Sequence, residues 1–282
     1  MNKSCLVLQG GGMRSMYTSG VLDAFLDSNV FINNIYAVSA GCYSALSYLS
    51  RQRGRTYRVN TTYLKDKRYI NFKRLLTNGN VINTDFIFNE VSKELDPFDY
   101  EEFKKNCERF VAVSTNCDTG KAKYALVKDM EKDEAYIKAS AALPLFTSLV
   151  EVDGLTLTDG GVSDSIPISK ALEDGFVNNV IVLTRPKEYI MRKTKFMKLK
   201  RIKYKKYPNL IKAMQTRMVR YNSTMELINE LEGENKIVVI RPSESLNISN
   251  LEKNIEKISK IYNMGYKDCM SKIEKIKEFI IC

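Results

Sequence analysis

A serine among small residues is the first feature of this sequence that could carry out chemistry. Ser39 ends an apolar run and lies within the segment Ala37-Val38-Ser39-Ala40-Gly41. Small neighbours allow a sharp turn from a strand into a helix, which exposes the serine hydroxyl and leaves the N–H of the next residue free for an oxyanion. The pattern predicts a nucleophile on an elbow formed by its small neighbours. The alternative is a serine that only caps the following helix.

The base that would activate this serine cannot be a histidine, because the chain contains none. A carboxylate in direct contact with the hydroxyl is the most plausible base that remains. Asp159 fits this role, since it follows an apolar run at 155–157 and is succeeded by Gly160 and Gly161. The alternative is an ordinary Asp-Gly turn.

Three consecutive glycines, followed by an arginine two positions later, come after the first apolar run. They are Gly10, Gly11 and Gly12, and the arginine is Arg14. Consecutive glycines let the backbone turn sharply and direct several N–H groups towards one anion or oxyanion. No Gly-Lys-Ser/Thr follows, and Ser15 occupies the last glycine position of G-x-G-x-x-G, so neither nucleotide-binding pattern is present. The loop is therefore a candidate oxyanion hole, or only a tight turn.

These segments must be positioned by a scaffold of alternating strands and helices. A helix is predicted to begin near Pro208, and the capping pattern Ser249-Asn250-Leu251-Glu252 predicts the start of a final helix. The alternation predicts an α/β fold, a three-layer sandwich with a mostly parallel central sheet covered by helices, plus C-terminal helices. The predicted strands are the short apolar runs at 4–8, 35–38, 110–113, 155–157, 180–183 and 237–240.

The chain has 282 residues, enough for one large domain, and its segments differ in character. Residues 1–185 carry the α/β pattern and are expected to form the catalytic core. Within them, residues 51–100 are polar, basic and weakly periodic, which indicates an insertion or a cap. Residues 186–282 contain a basic segment, a helix, a last strand and a C-terminal amphipathic helix, which we expect to pack on the same domain.

The net charge of +11 is concentrated between residues 185 and 220, where fourteen Lys or Arg accompany one acidic residue. Cations interleaved with apolar side chains suit an anionic membrane surface. The same composition could bind nucleic acid, which is the less favoured interpretation, or could form a solvated basic loop. The candidate membrane contacts are Lys198, Lys200, Arg201 and Lys203.

Metal and redox chemistry are not indicated by the sequence. The six cysteines show neither CxxC pairs nor dense spacing, so a zinc site or a disulfide framework is not predicted. Cys42, three residues after Ser39, is expected to be a packed side chain, because no histidine can lower the pKa of its thiol. No run approaches the ~18 apolar residues of a spanning helix. We expect a cytoplasmic protein, at most attached to a membrane surface, without metal or organic cofactor.

Taken together, the motifs resemble those of the patatin-like phospholipase family, whose bacterial members use a Ser-Asp dyad. The matching segments are QGGGMRS at 9–15, AVSAG at 37–41 and DGGVSDSIPI at 159–168, while ASAALPLF at 139–146 is similar to a further segment of that family. The resemblance covers roughly residues 4 to 185. This chain departs from the family pattern at Ser15 and at Ala37, where glycine is usual.

The resemblance implies a serine hydrolase that releases fatty acid from phospholipid, lysophospholipid or other acyl esters. Ser39 would be the nucleophile and Asp159 its base. The implied oxyanion hole comprises Gly10, Gly11, Gly12 and Arg14. Two alternatives remain: an acyltransferase that uses the same dyad, and a non-catalytic membrane- or nucleic-acid-binding protein that uses residues 185–220. The expected partners are a lipid substrate and an anionic membrane surface, with no obligate protein partner.

Overall fold

A β-sheet of eight strands, counted over the described residues, forms the centre of the protein. The computed structural model describes residues 4–71, 73–74, 79–193 and 195–281. The strand order is β5-β6-β3-β2-β1-β7-β8, with β4 paired to β3. The strands are β1 (Ser4–Leu8), β2 (Asn34–Val38), β3 (Arg109–Asn116), β4 (Ala122–Val127), β5 (Val150–Val152), β6 (Leu155–Asp159), β7 (Asn178–Val182) and β8 (Ile237–Ile240).

Five neighbouring strands, β3-β2-β1-β7-β8, run parallel, as the alternation of strands and helices predicted. The antiparallel part comprises β4, β5 and β6. The six predicted strands are confirmed, whereas β4 and β5 were not predicted. Strand β5 has only three residues, and the first three residues of β4 are only half-buried, so neither leaves a clear apolar run in the sequence.

Helices cover both faces of the sheet. In β1, Leu6 and Leu8 belong to one buried cluster, while Cys5 and Val7 belong to another on the opposite face. This alternation is the two-residue period of a strand that is buried on both sides. The helices are α1 (Met16–Asp27), α2 (Ala40–Leu49), α3 (Arg55–Tyr63), a π-helix (Phe86–Leu95), α4 (Tyr100–Asn106), α5 (Met130–Ser140), α6 (Ile168–Glu173), α7 (Met197–Lys203), α8 (Pro208–Gly233), α9 (Ile255–Met270) and α10 (Ile273–Ile281).

Two close contacts join the C-terminal helix α9 to α1, the helix that follows the glycine loop. A Cβ added to Gly20 would lie 2.0 Å from the carbonyl oxygen of Tyr262. A Cβ added to Gly265 would lie 2.1 Å from the carbonyl oxygen of Tyr17. Only glycine permits such an approach between the two helix backbones. The C-terminal part of the chain therefore helps to fix α1.

The prediction that the final helix starts at Ser249–Glu252 is wrong. Helix α9 begins at Ile255, and its N-cap is Asn254, whose side chain accepts a hydrogen bond from the N–H of Lys257 at 3.1 Å. Glu252 accepts from the N–H groups of the two residues that follow it and also from the backbone of Ser249, so its carboxylate stabilises a turn before the helix. The capping pattern is present in the sequence, but the residue that caps the helix is Asn254, which immediately precedes the first helical residue.

No helix within the described ranges is both long enough and apolar enough to cross a bilayer. The described cysteines, at positions 5, 42, 107, 117 and 269, are free thiols, and Cys282 lies outside the described residues.

Candidate active site

The sheet brings Ser39 and Asp159 together. Strand β2 pairs with β3 up to Val38, which lies opposite Val113, and β6 pairs with β3 from Asp159, which lies opposite Ser114. Because β2 and β6 end at consecutive positions along β3, the residues at their ends become neighbours. The Oγ of Ser39 donates a hydrogen bond to Oδ2 of Asp159 at 2.7 Å. The two residues that the sequence singled out are thus in direct contact.

The elbow that carries Ser39 is strained. Its φ of +54° and ψ of −128° lie in a region that non-glycine residues rarely adopt, and such a conformation persists only where its surroundings enforce it. On one side, a Cβ added to Gly10 would lie 2.9 Å from the carbonyl oxygen of Val38 and 3.0 Å from the Cβ of Ser39. The first glycine of the loop therefore packs directly against the elbow.

Ser140 supports the elbow from the other side and was not identified from the sequence. The N–H of Ser39 donates to Oγ of Ser140 at 2.8 Å, and this hydroxyl donates to the carbonyl oxygen of Val113 at 2.6 Å. The side chain thus connects the backbone of Ser39 to β3. Its only sequence signal was its place in the small-residue segment ASAALPLF.

Asp159 is buried, and both its carboxylate oxygens and its carbonyl oxygen accept hydrogen bonds. Its second carboxylate oxygen, Oδ1, accepts from the N–H of Gly161 at 2.7 Å, and its carbonyl oxygen accepts from Oγ1 of Thr115 at 2.8 Å. Burial raises the pKa of Asp159, and the hydrogen bonds from Ser39 and Gly161 oppose this rise. A carboxylate with a raised pKa accepts a proton more readily than an exposed one, which suits a general base.

The glycine loop offers unpaired donors close to Ser39. In the described structure, the N–H groups of Gly11 and Gly12 have no hydrogen-bond acceptor. Gly11 follows the end of β1, and Gly12 is the first residue of a short 3₁₀ turn, Gly12–Ser15. Helix α2 begins at Ala40, immediately after Ser39, so its positive end is directed at the same place. These groups could stabilise negative charge that develops on a substrate oxygen.

An apolar cavity extends from Ser39 into the protein. The cavity has a volume of about 120 Å³, and α2, α3 and the π-helix contribute much of its lining. The segment 51–100, predicted to be an insertion or cap, therefore contributes two of these three helices. The apolar side chains around the cavity include Met13, Met16, Tyr43, Leu46, Val59 and Ile87.

The remaining predicted residues lie near the site but outside its apolar part. Arg14 is close to Arg185, and burial lowers the pKa of Arg14 to about 10. Gly41 packs close to the end of β1, since a Cβ added to Gly41 would lie 3.2 Å from the carbonyl oxygen of Leu8. Cys42 is buried, and burial raises the pKa of its thiol to about 12, so it is a packed side chain as predicted.

The four candidate membrane contacts lie on helix α7 and differ in their exposure to solvent. Lys198, Arg201 and Lys203 are exposed, whereas Lys200 is half-buried, and burial together with the charge of Arg217 lowers its pKa. Large apolar side chains are exposed beside them: Ile190, Phe196, Leu199 and Ile202, with relative exposures of 72%, 68%, 53% and 71%.

Comparison with known proteins places this arrangement in a family. The model of the patatin-like phospholipase family matches residues 6–172, more than half of the chain, and that of a domain of unknown function, DUF6363, matches residues 207–281. The uncharacterized protein YjjU of Escherichia coli (strain K12) is 24% identical over 266 residues, which are 92% of this chain and 74% of that protein. The crystal structure of VipD from Legionella pneumophila superimposes with a TM-score of 0.54 and 14% identity over 98% of this chain and 67% of that one, which shows a shared fold.

Proposed function

This chain belongs to the patatin-like phospholipase family, and we propose that it hydrolyses phospholipids, lysophospholipids or related lipid acyl esters with Ser39 as nucleophile and Asp159 as base. Family membership indicates the general class, an acyl ester hydrolase acting on lipids. The observation that carries the finer proposal is the 2.7 Å hydrogen bond from the serine hydroxyl to a buried carboxylate. A serine needs such a base, because its hydroxyl is a poor nucleophile at neutral pH.

Acylation would follow from this contact. As Oγ of Ser39 attacks the acyl carbon, its proton passes to Oδ2 of Asp159, and the carbonyl oxygen becomes an oxyanion. The N–H groups of Gly11 and Gly12 are available to bind that oxyanion, and each such donor contributes roughly 3 kcal/mol to transition-state stabilisation. The leaving alcohol then takes the proton from Asp159, and the acyl group stays on the serine.

Deacylation would reverse the roles with water in place of the alcohol. Asp159 removes a proton from a water molecule, which attacks the acyl carbon of the ester on Ser39. Collapse of the second oxyanion releases a fatty acid and returns the proton to the serine oxygen. If another alcohol took the place of water, the product would be a new ester, which is the acyltransferase alternative.

The apolar cavity supports a long acyl chain as the part of the substrate bound inside the protein. Methylene groups gain about 0.8 kcal/mol each on burial, so a fatty acyl chain of ordinary length would bind strongly there. Most of the exposed wall of the cavity is apolar, although Thr56, Asn60 and Thr84 also line it.

The exposed face of α7 supports attachment to an anionic membrane. Lys198, Arg201 and Lys203 could each contribute about 1 kcal/mol near an anionic surface, while Phe196 and Ile202 could enter the headgroup region. Reversing these three charges should weaken binding to phosphatidylserine vesicles by tenfold or more and leave hydrolysis of a soluble ester unchanged. Unchanged vesicle binding would exclude this surface as the contact.

Fatty acid release from mixed phospholipid and lysophospholipid vesicles tests the proposed function. The wild type should release fatty acid, and Ser39→Ala should abolish release without loss of thermal stability. Ser44→Ala is the matched control, since its hydroxyl is buried in the same helix but contacts Ser19 at 2.9 Å. Added alcohol acceptors separate the alternatives, because an acyltransferase would form new esters. Vesicle binding without any release would point instead to the non-catalytic binding protein.

A further inference from the structure

Four basic side chains whose charges repel one another form a group that includes Arg217, which lies beside Asp159. Among the described residues, none of Arg14, Arg185, Lys200 and Arg217 forms an ion pair with a carboxylate. Elsewhere, six arginines pair with Asp or Glu: Arg53, Arg55, Arg58, Arg68, Arg109 and Arg241.

Arg217, on α8, lies against the turn that holds the proposed catalytic base. A Cβ added to Gly161 would lie 2.9 Å from Oδ1 of Asp159 and 3.4 Å from Nη2 of Arg217. The guanidinium and the carboxylate therefore flank the same glycine. The positive charge of Arg217 opposes the larger effect of burial, which raises the pKa of Asp159. Arg217 is thus adjacent to the proposed base.

These cations are placed unfavourably in the free protein. The Nε atoms of Arg14 and Arg217 are buried and lack a hydrogen-bond partner within the described ranges. Burial, and to a smaller extent the charges of Arg185 and Arg217, lower the pKa of Arg14 to about 10. Burial and Arg217 together lower the pKa of Lys200. Like charges that are partly desolvated repel one another, and a bound anion would relieve both effects.

We propose that Arg185, Lys200 and Arg217 bind the phosphate of an anionic lipid headgroup while the acyl chain occupies the cavity next to Ser39. The inference rests on the proposed function and names its substrate class. Guanidinium groups match phosphate oxygens in bidentate geometry, and lysine adds a point charge. None of these three residues is among those that line the apolar cavity, so headgroup and acyl chain have separate places. A choline or ethanolamine group would meet repulsion from the same cations.

Three lauroyl esters, used below the concentration at which they form micelles, test this assignment. Lysophosphatidate should be hydrolysed with a higher kcat/KM than lysophosphatidylcholine or neutral monolauroylglycerol. Arg217→Gln and Lys200→Gln should each raise the KM for lysophosphatidate roughly tenfold and change that for the neutral ester less than about twofold. Lys212→Gln is the matched control on the same helix as Arg217, because its side chain is exposed, and it should change neither KM.

An unchanged ratio between charged and neutral esters in both variants would overturn the proposal. An equal loss on both esters in Arg217→Gln would also overturn it, since the arginine would then act only on Asp159. A measurement without turnover uses inorganic phosphate, which should raise the Tm of the wild type and not that of Arg217→Gln or Arg185→Gln.

Stabilisation by phosphate without any effect on ester preference would assign the site to free phosphate and not to a headgroup, against the proposal. If the wild type hydrolyses none of the esters, the proposed function fails. The phosphate shift then still decides whether these cations form an anion site.

Discussion

The two sides of Ser39 are built by different parts of the chain and in different ways. On one side is an apolar cavity, lined largely by residues of the segment 6–172 that matches the patatin-like phospholipase family. The other side includes Arg217, which lies against the turn at Asp159, and Lys200, which interacts with Arg217; both residues lie beyond that segment, as does Arg185. The first side is mostly apolar, whereas these basic side chains form no ion pair with a carboxylate among the described residues. The difference suggests that the family fold supplies the chemistry and the C-terminal part supplies discrimination between headgroups.

The largest expected effect tests the proposed chemistry separately from the cavity and from the basic side chains. Asp159→Asn removes the base and leaves the cavity and the basic cluster in place. We expect hydrolysis of a soluble neutral ester to fall by roughly 10²–10⁴-fold, the range of general base catalysis. Initial rates at saturating substrate measure this change. A fall of less than tenfold would mean that the serine does not depend on this carboxylate.

A smaller loss should follow when the elbow loses its support. Ser140→Ala removes the acceptor of the N–H of Ser39 and the link to Val113. A misplaced nucleophile reacts more slowly, so we expect kcat to fall roughly 10- to 100-fold with KM nearly unchanged. The variant Ser44→Ala, in which a buried serine away from the elbow is replaced, should retain activity. Equal kcat values for Ser140→Ala and the wild type would contradict the role of this hydroxyl.

A still smaller effect on activity is expected from a change in the apolar cavity alone. Val59→Phe places a larger side chain in the wall of the cavity. We expect kcat/KM for palmitoyl esters to fall about tenfold relative to that for butyryl esters, since the long chain loses room. Chain-length profiles of neutral esters measure this ratio. An unchanged profile would show that the acyl chain does not enter this cavity.

The smallest effect concerns stability and pH. Because burial raises the pKa of Asp159 in the folded protein, the folded state holds this proton more tightly than the unfolded chain does. The wild type therefore loses stability as pH rises through the raised pKa, and Asp159→Asn does not. We expect the variant to have an equal or higher Tm at pH 7, by about 2 °C, and this advantage to shrink on acidification. A variant less stable than the wild type at pH 7 would contradict this account.

The contact between Ser39 and Asp159 could be predicted from the sequence because each residue leaves a local signal. Ser39 lies between small residues after an apolar run, and Asp159 precedes two glycines. Without a histidine in the chain, a direct contact between them was the remaining arrangement, and the register along β3 produces it. The parallel core could be predicted for the same reason, since its strands are short apolar runs.

What could not be predicted depends on contacts between distant segments. Ser140 supports a backbone group 101 positions earlier, which no local pattern encodes. Arg217 and Lys200 belonged to a basic stretch whose charges looked alike in the sequence. Only the fold shows that Lys200 turns inward to Arg217 while Lys198 stays exposed. The apolar cavity could likewise not be predicted, because it forms only when α3 and the π-helix, whose sequences are weakly periodic, pack against the rest of the protein.

The central claim is that Asp159 activates Ser39, and labelling with a fluorophosphonate probe tests it most directly. Mass spectrometry of the digested protein locates the adduct without any assumption about the lipid substrate. We predict a single adduct on Ser39 in the wild type and its near-complete loss in Asp159→Asn, with both proteins folded as judged by circular dichroism. Absence of an adduct on folded wild-type protein, or equal labelling of the two proteins, would contradict the account.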